Sequence, residues 1–167
     1  MLIVKDALRQ QSLRQIDTDL TEIKLGYNWA ASNNLWPQNI RYGICGTTLS
    51  TEIPEFTKLL ILNDINNILP TYNNITLQYY IWTPNSGISF HDDGHHRFGA
   101  TIYLNKTPWD KNYGGLFVFE NEDKETMTAI SPTYNSLIVN DKKTRHAVTL
   151  VSPLAKENRL TIQIWGD

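Results

Sequence analysis

Three side chains in the second half of the chain could hold one metal ion between them. His91 and Asp93 are separated by a single residue. In an extended segment residues i and i+2 point to the same side, so an imidazole and a carboxylate are presented together. His146 follows 55 positions after His91, at the start of another strand-like segment. Two histidines and one carboxylate on one face of an ion leave coordination positions open, the set that non-haem iron(II) uses when substrate and oxygen must both approach. A His-x-Asp spacing is weak by itself, since its ordinary reading is a polar strand end. His95 and His96, in a short loop led by Gly94, are rivals for any ligand role.

A second group suits an anion. Arg159 opens the last strand-like segment, and its planar fork matches a carboxylate in a two-bond clamp. Thr161 shares its face and adds a hydroxyl, and Tyr103 offers a phenol from another segment. Together they would receive the far carboxylate of a dicarboxylic acid whose other end chelates a metal. Taken singly, each is as readily a surface arginine or a core tyrosine.

The elements that must position these residues change in texture near residue 75. Before it, residues 5–16 carry a loose helical stripe of Ala7, Leu8, Leu13 and Ile16, and residues 54–69 read as a second helix. Pro54 suits its first turn, Thr51 its N-cap and Pro70 its stop. Residues 26–49, rich in aromatics, glycine and asparagine, read as irregular strand-and-loop or a lid. From Asn74 onward short strands follow one another at 75–82, 86–91, 98–105, 115–120, 126–130, 136–140, 145–151 and 159–165. In the last, Arg159, Thr161, Gln163 and Trp165 alternate with Leu160, Ile162 and Ile164. In 101–105, Thr101, Tyr103 and Asn105 alternate with Ile102 and Leu104. Many short strands point to a mainly β jelly roll or barrel with supporting N-terminal helices. The expected organisation is one domain over 1–167, with 1–73 as helical or irregular support and 74–167 as the β core.

Composition narrows the function. With 15 basic and 17 acidic residues the net charge is −2, and the basic residues form no stripe, so no nucleic-acid partner is expected. No apolar run is long enough to span a membrane. The single cysteine, Cys45, excludes an internal disulfide framework and a cysteine-based zinc site. The start of the chain lacks the basic, long apolar pattern of a signal peptide. The expected location is cytoplasmic.

The ordered set of Tyr80 and Trp82, His91-x-Asp93, Arg97, Thr101 to Asn105, Trp109, Gly114-Gly115, Pro132, His146, Arg159-x-Thr161 and Trp165 resembles the iron(II)- and 2-oxoglutarate-dependent dioxygenases, in their prolyl 4-hydroxylase-like branch. The likeness covers about residues 74–167. It implies a double-stranded β-helix, with iron(II), 2-oxoglutarate and O2 as cofactor and cosubstrates and ascorbate as an optional accessory. It implies that His91, Asp93 and His146 ligate iron and that Arg159, with Tyr103 and Thr161, binds the distal carboxylate of 2-oxoglutarate. Trp165 matches an aromatic beside that cosubstrate. One departure lies before the triad. The usual Tyr-x-x-Gly is replaced by Tyr80 to Gly87, leaving either Tyr80 or Trp82 in the tyrosine's place.

The implied reaction hydroxylates an unactivated C–H bond and releases succinate and CO2. The branch points to a prolyl residue in a peptide or protein, and a free amino acid or small metabolite is the alternative. Candidate substrate walls are 26–49, 84–90, 94–97 and 106–113. Trp109 and Tyr113 serve there either as a recognition platform or as loop packing. Two other readings compete, a cupin-like metal enzyme that does not use 2-oxoglutarate and a non-enzymatic jelly-roll binding module. Neither gives Arg159 and Thr161 a role.

Overall fold

The computed structural model describes residues 1–26, 30–31 and 46–167. Most of the aromatic stretch at 26–49, and Cys45 with it, lies outside the described residues. The elements in chain order are β1 (Leu2–Val4), α1 (Gln10–Gly26), β2 (Ala30–Ala31), β3 (Thr48–Glu52), α2 (Glu55–Ile65), β4 (Ile75–Trp82), β5 (Ile88–His91), β6 (Phe98–Tyr103), β7 (Phe117–Glu120), β8 (Met127–Ile130), β9 (Leu137–Asn140), β10 (His146–Val148) and β11 (Arg159–Gly166). Every strand expected after residue 74 is present, most of them trimmed at the ends.

Among the described residues, two antiparallel sheets form. The larger runs β1-β9-β6-β11-β4-β3-β2 and the smaller runs β5-β10-β7-β8. Alternation along the central strands sorts the side chains. Leu77 and Tyr79 of β4, Phe98, Ala100 and Ile102 of β6, Leu137 and Val139 of β9, and Ile162 and Ile164 of β11 join one buried cluster with Leu13, Ile16, Leu20, Ile61 and Ile65 of the helices. The opposite face carries Tyr80, Trp82, Tyr103 and Ile138, which pack against Ile88, Val148 and Phe117 of the small sheet. The polar faces read in β6 and β11 therefore point between the sheets, where solvent is largely excluded. This is the expected double-stranded β-helix with helical support.

The helices differ in extent from the sequence expectation. Of residues 5–16, only 10–16 are in the first helix. Leu2–Val4 pair with β9 instead, and Asp6 has a positive φ of 52°. Asn135 then takes the backbone of the next residues, receiving Leu8 N–H on its side-chain oxygen at 2.9 Å and donating to Leu8 C=O at 3.0 Å. The helix begins only at Gln10 and continues the stripe through Leu20 and Ile23, which an apolar period of 3.6 dictates. Thr51 is not an N-cap. It lies in β3, and Pro54 holds the cap position of α2 without a side-chain hydrogen bond. That helix ends at Ile65, before Pro70, because Ile68 and Leu69 turn back onto the Ile65 carbonyl.

Candidate active site

The metal set is assembled by strand pairing. His91 at the end of β5 and His146 at the start of β10 are direct partners in the antiparallel register. Their rings come to 4.3 Å between centroids, which closes a sequence separation of 55 residues. Asp93 arrives differently from the expectation. It lies past the end of β5, and a left-handed φ of 62° swings it round, so same-face alternation is not what brings it to His91. Its carboxylate oxygens sit 3.5 Å from His91 Nε2 and 3.5 Å from His146 Nε2. One ligand atom from each residue lies within 4.8 Å of the others.

Hydrogen bonding selects the right imidazole nitrogens. His91 Nδ1 is 2.8 Å from the Ser89 carbonyl, and His146 Nδ1 is 3.0 Å from the Thr144 carbonyl. A carbonyl only accepts, so each Nδ1 carries the proton and each Nε2 keeps its lone pair for a metal. Burial lowers the His146 pKa below its ordinary value, partly opposed by the Asp93 charge, which keeps the ring neutral as a ligand must be. Burial alone would raise the Asp93 pKa, yet His91 and His146, whenever they are protonated, hold the carboxyl below its ordinary value. The donor set therefore fits a divalent ion such as iron(II).

Several residues that support this set carry no signal in the sequence reading. Gly99 on β6 leaves room for the Asp93 carboxylate, since a Cβ there would lie 2.3 Å from Oδ2. Asn140 on β9 accepts from Thr144 N–H at 3.0 Å and donates to its carbonyl at 2.8 Å, fixing the turn that orients His146. Phe117 stacks on the His146 ring at 5.0 Å and 22°. The only sequence hint for these residues is their place on the inward face.

The anion set sits deeper. Arg159 and Thr161 are fully buried, as is Tyr103. All three guanidinium nitrogens of Arg159 and the Tyr103 hydroxyl have no hydrogen-bond partner among the described residues. Instead the guanidinium carbon lies 5.1 Å from the ring centroids of both Trp82 and Tyr103. Burial lowers the Arg159 pKa from its ordinary value, with the neighbouring phenol opposing, and burial raises that of Tyr103. An unpaired buried cation of this kind is costly unless an anion joins it, so the residues fit a carboxylate ligand. Gly115 lets the arginine pass, since a Cβ there would lie 2.9 Å from Arg159 Cδ.

A cavity of about 60 Å³ between the sheets is lined by His91, Asp93, His146, Trp82, Tyr80 and Trp165, among others. Both candidates for the departed tyrosine thus face the site, as residues two apart on one strand must. Trp165 meets Tyr80 edge-to-face at 5.9 Å. Arg159, Tyr103 and Thr161 do not line this cavity and lie behind Trp82. His95 and His96 form a separate cluster with Asp167, in which His96 Nδ1 is 2.7 Å from the Asp167 carboxylate. Trp109 packs inward, donating to the Gly114 carbonyl at 2.8 Å and meeting Tyr113 at right angles, which is loop packing. No described helix is long and apolar enough to cross a membrane.

Comparison with known proteins agrees with this geometry. The sequence model of the 2OG-Fe(II) oxygenase superfamily matches residues 75–166, more than half of the chain. No curated protein matches by sequence. Solved structures share the fold at low identity. A prolyl-4-hydroxylase from Pseudomonas putida superposes with a TM-score of 0.69 at 14% identity, covering 99% of this chain and 90% of the other. A prolyl hydroxylase from Trichoplax adhaerens, in complex with a hypoxia inducible factor oxygen degradation domain peptide fragment, gives 0.72 at 14%, with 99% and 82% covered. HygX from Streptomyces hygroscopicus, with nickel, 2-oxoglutarate and hygromycin B bound, gives 0.62 at 10%, with 99% and 82% covered.

Proposed function

The chain belongs to the 2OG-Fe(II) oxygenase superfamily, and on that premise we propose that it hydroxylates a prolyl C–H bond in a peptide or protein substrate. It is a dioxygenase of the prolyl 4-hydroxylase-like branch, using iron(II), 2-oxoglutarate and O2. The proposed balance is substrate C–H plus O2 plus 2-oxoglutarate giving substrate C–OH, succinate and CO2. When bound, the iron supplies the oxidising chemistry, for which no side chain of the protein is equipped.

The chain's own residues bind, orient and exclude water. His91 and His146 through Nε2, and Asp93 through its carboxylate, would hold the ion and leave one side open. Arg159 would pair with the distal carboxylate of 2-oxoglutarate, the Tyr103 and Thr161 hydroxyls adding donors. Trp165 and Tyr80 would pack along the cosubstrate and keep the site dry. The observation that carries the reading is the open two-histidine, one-carboxylate set together with a fully buried arginine that has no hydrogen-bond partner among the described residues. A cupin-like enzyme indifferent to 2-oxoglutarate, or a binding module, has no use for that arginine.

A prolyl substrate is supported by the two prolyl hydroxylases of the same fold, one of them solved with a peptide. HygX, solved with hygromycin B, is the reason small molecules belong in the test. Succinate is assayed with iron(II), 2-oxoglutarate, ascorbate and air, against proline-containing peptides, free amino acids and small metabolites. The expected result is succinate release coupled to one oxygen atom added at a prolyl residue. Coupled turnover only with a small molecule would replace the prolyl assignment. No 2-oxoglutarate consumption with any partner, at normal iron binding, would favour the cupin-like reading.

A further inference from the structure

Trp82 stands at the boundary between the cavity and the arginine pocket. Trp82 and Arg159 are direct cross-strand partners on β4 and β11. The indole lies over the guanidinium at 5.1 Å and donates from Nε1 to Thr161 Oγ1 at 3.3 Å. Among the described residues, Trp82 is the one that both lines the cavity and stacks on Arg159. Gln163 Nε2 also donates to Thr161 Oγ1, at 3.0 Å. Both lone pairs of that hydroxyl are therefore engaged, and its proton remains free to donate. Arg159 does not line the cavity, so a dicarboxylate chelating at the His91–Asp93–His146 end meets the indole that lies over the guanidinium.

We propose that Trp82 is a specificity-determining cover on the arginine pocket. A 2-oxoacid with a distal carboxylate displaces the indole from Thr161 and takes its place at the guanidinium. A 2-oxoacid without that carboxylate leaves the indole seated. The physical basis is an exchange of partners. The guanidinium trades an aromatic face for a two-bond carboxylate clamp, which is the stronger partner for a buried arginine. Pyruvate has the chelating end of 2-oxoglutarate but nothing to offer Arg159. The inference rests on the 2-oxoglutarate reading of that arginine.

The test reads the indole itself. The protein is labelled with 5-fluorotryptophan at its five tryptophans and loaded with redox-inert Zn²⁺. It is followed by fluorine NMR while calorimetry reports binding separately. Trp82→Phe assigns the resonance, with Trp82→Tyr as the substitute if the phenylalanine variant does not fold. The expected result is a shift of the Trp82 resonance with saturating 2-oxoglutarate and none with saturating pyruvate. An equal shift with both acids, or no shift while calorimetry shows 2-oxoglutarate bound, overturns the cover. If calorimetry shows no 2-oxoglutarate binding at all, the reading of Arg159 falls and the cover with it.

Discussion

Gly99 and Asn140 show how closely the His91–Asp93–His146 set depends on residues outside it. Gly99→Ala places a methyl 2.3 Å from Asp93 Oδ2, and the backbone there needs no left-handed conformation, so the effect is purely spatial. We expect this variant to fold normally by circular dichroism and to lose iron(II) affinity. Unchanged affinity would mean that the carboxylate has another seat. Asn140→Ala frees the Thr144 turn and should weaken iron binding roughly 10–100-fold, the usual cost of an outer-shell partner. His91→Ala and Asp93→Ala should go further and abolish turnover with the fold retained. Full activity at high iron in either would remove that residue from the ligand set. For Arg159→Ala, hydrogen bonds to a charged group contribute about 1.5–3 kcal/mol. The apparent affinity for 2-oxoglutarate should then fall roughly ten- to hundredfold, with iron binding intact. An affinity equal to wild type would show that the guanidinium is not the clamp.

The two helices are locked to each other by one buried carboxylate. Asp64 of α2 accepts from Ser12 Oγ at 2.6 Å and Arg9 N–H at 2.8 Å, and pairs with the Arg9 guanidinium. Its side chain is only 1% exposed. Burial alone would raise its pKa, but the Ser12 and Arg9 bonds hold it below its ordinary value. A carboxyl whose folded pKa is depressed contributes stability that is complete above its unfolded pKa and is lost as pH falls through the folded one. Asp64→Asn should therefore cost about 1–3 kcal/mol at neutral pH. The gap between the wild-type and variant unfolding midpoints should narrow only below about pH 4. A gap that stays constant down to pH 2 would show that the charge plays no part. The same clasp accounts for the late start of α1, since Arg9 and Ser12 are placed for Asp64 and residues 7 and 8 are held by Asn135.

Across the whole molecule, the large sheet separates two kinds of burial. Its helix side is mainly apolar, and Ile162→Ala there should cost about 2–5 kcal/mol while leaving the affinities for iron and 2-oxoglutarate within twofold or so, since sites that share no partners add independently. A parallel loss of cosubstrate binding would show the two faces to be coupled. Its cavity side holds the arginine, the hydroxyls and the indole, and the small sheet brings two histidines to meet them. Much of this was legible in the amino-acid order. The alternation of Arg159 to Trp165 marks two faces, and the turn residues after Asn74 separate the strands. The donor types of the triad and of Arg159-x-Thr161 are local properties, and the ordered set around them carries the family resemblance that implies the chemistry. Four features were not legible, and none follows from the side-chain period along a single strand. His91 and His146 are register partners across β5 and β10. A φ of 62° at Asp93 replaces strand alternation as the means of reaching the two imidazoles. Gly99 is the space that carboxylate occupies. Trp82 lies over Arg159 because β4 and β11 align in that register. Local sequence fixes which way a side chain points along its own strand, and only the packing of sheets decides what it meets there.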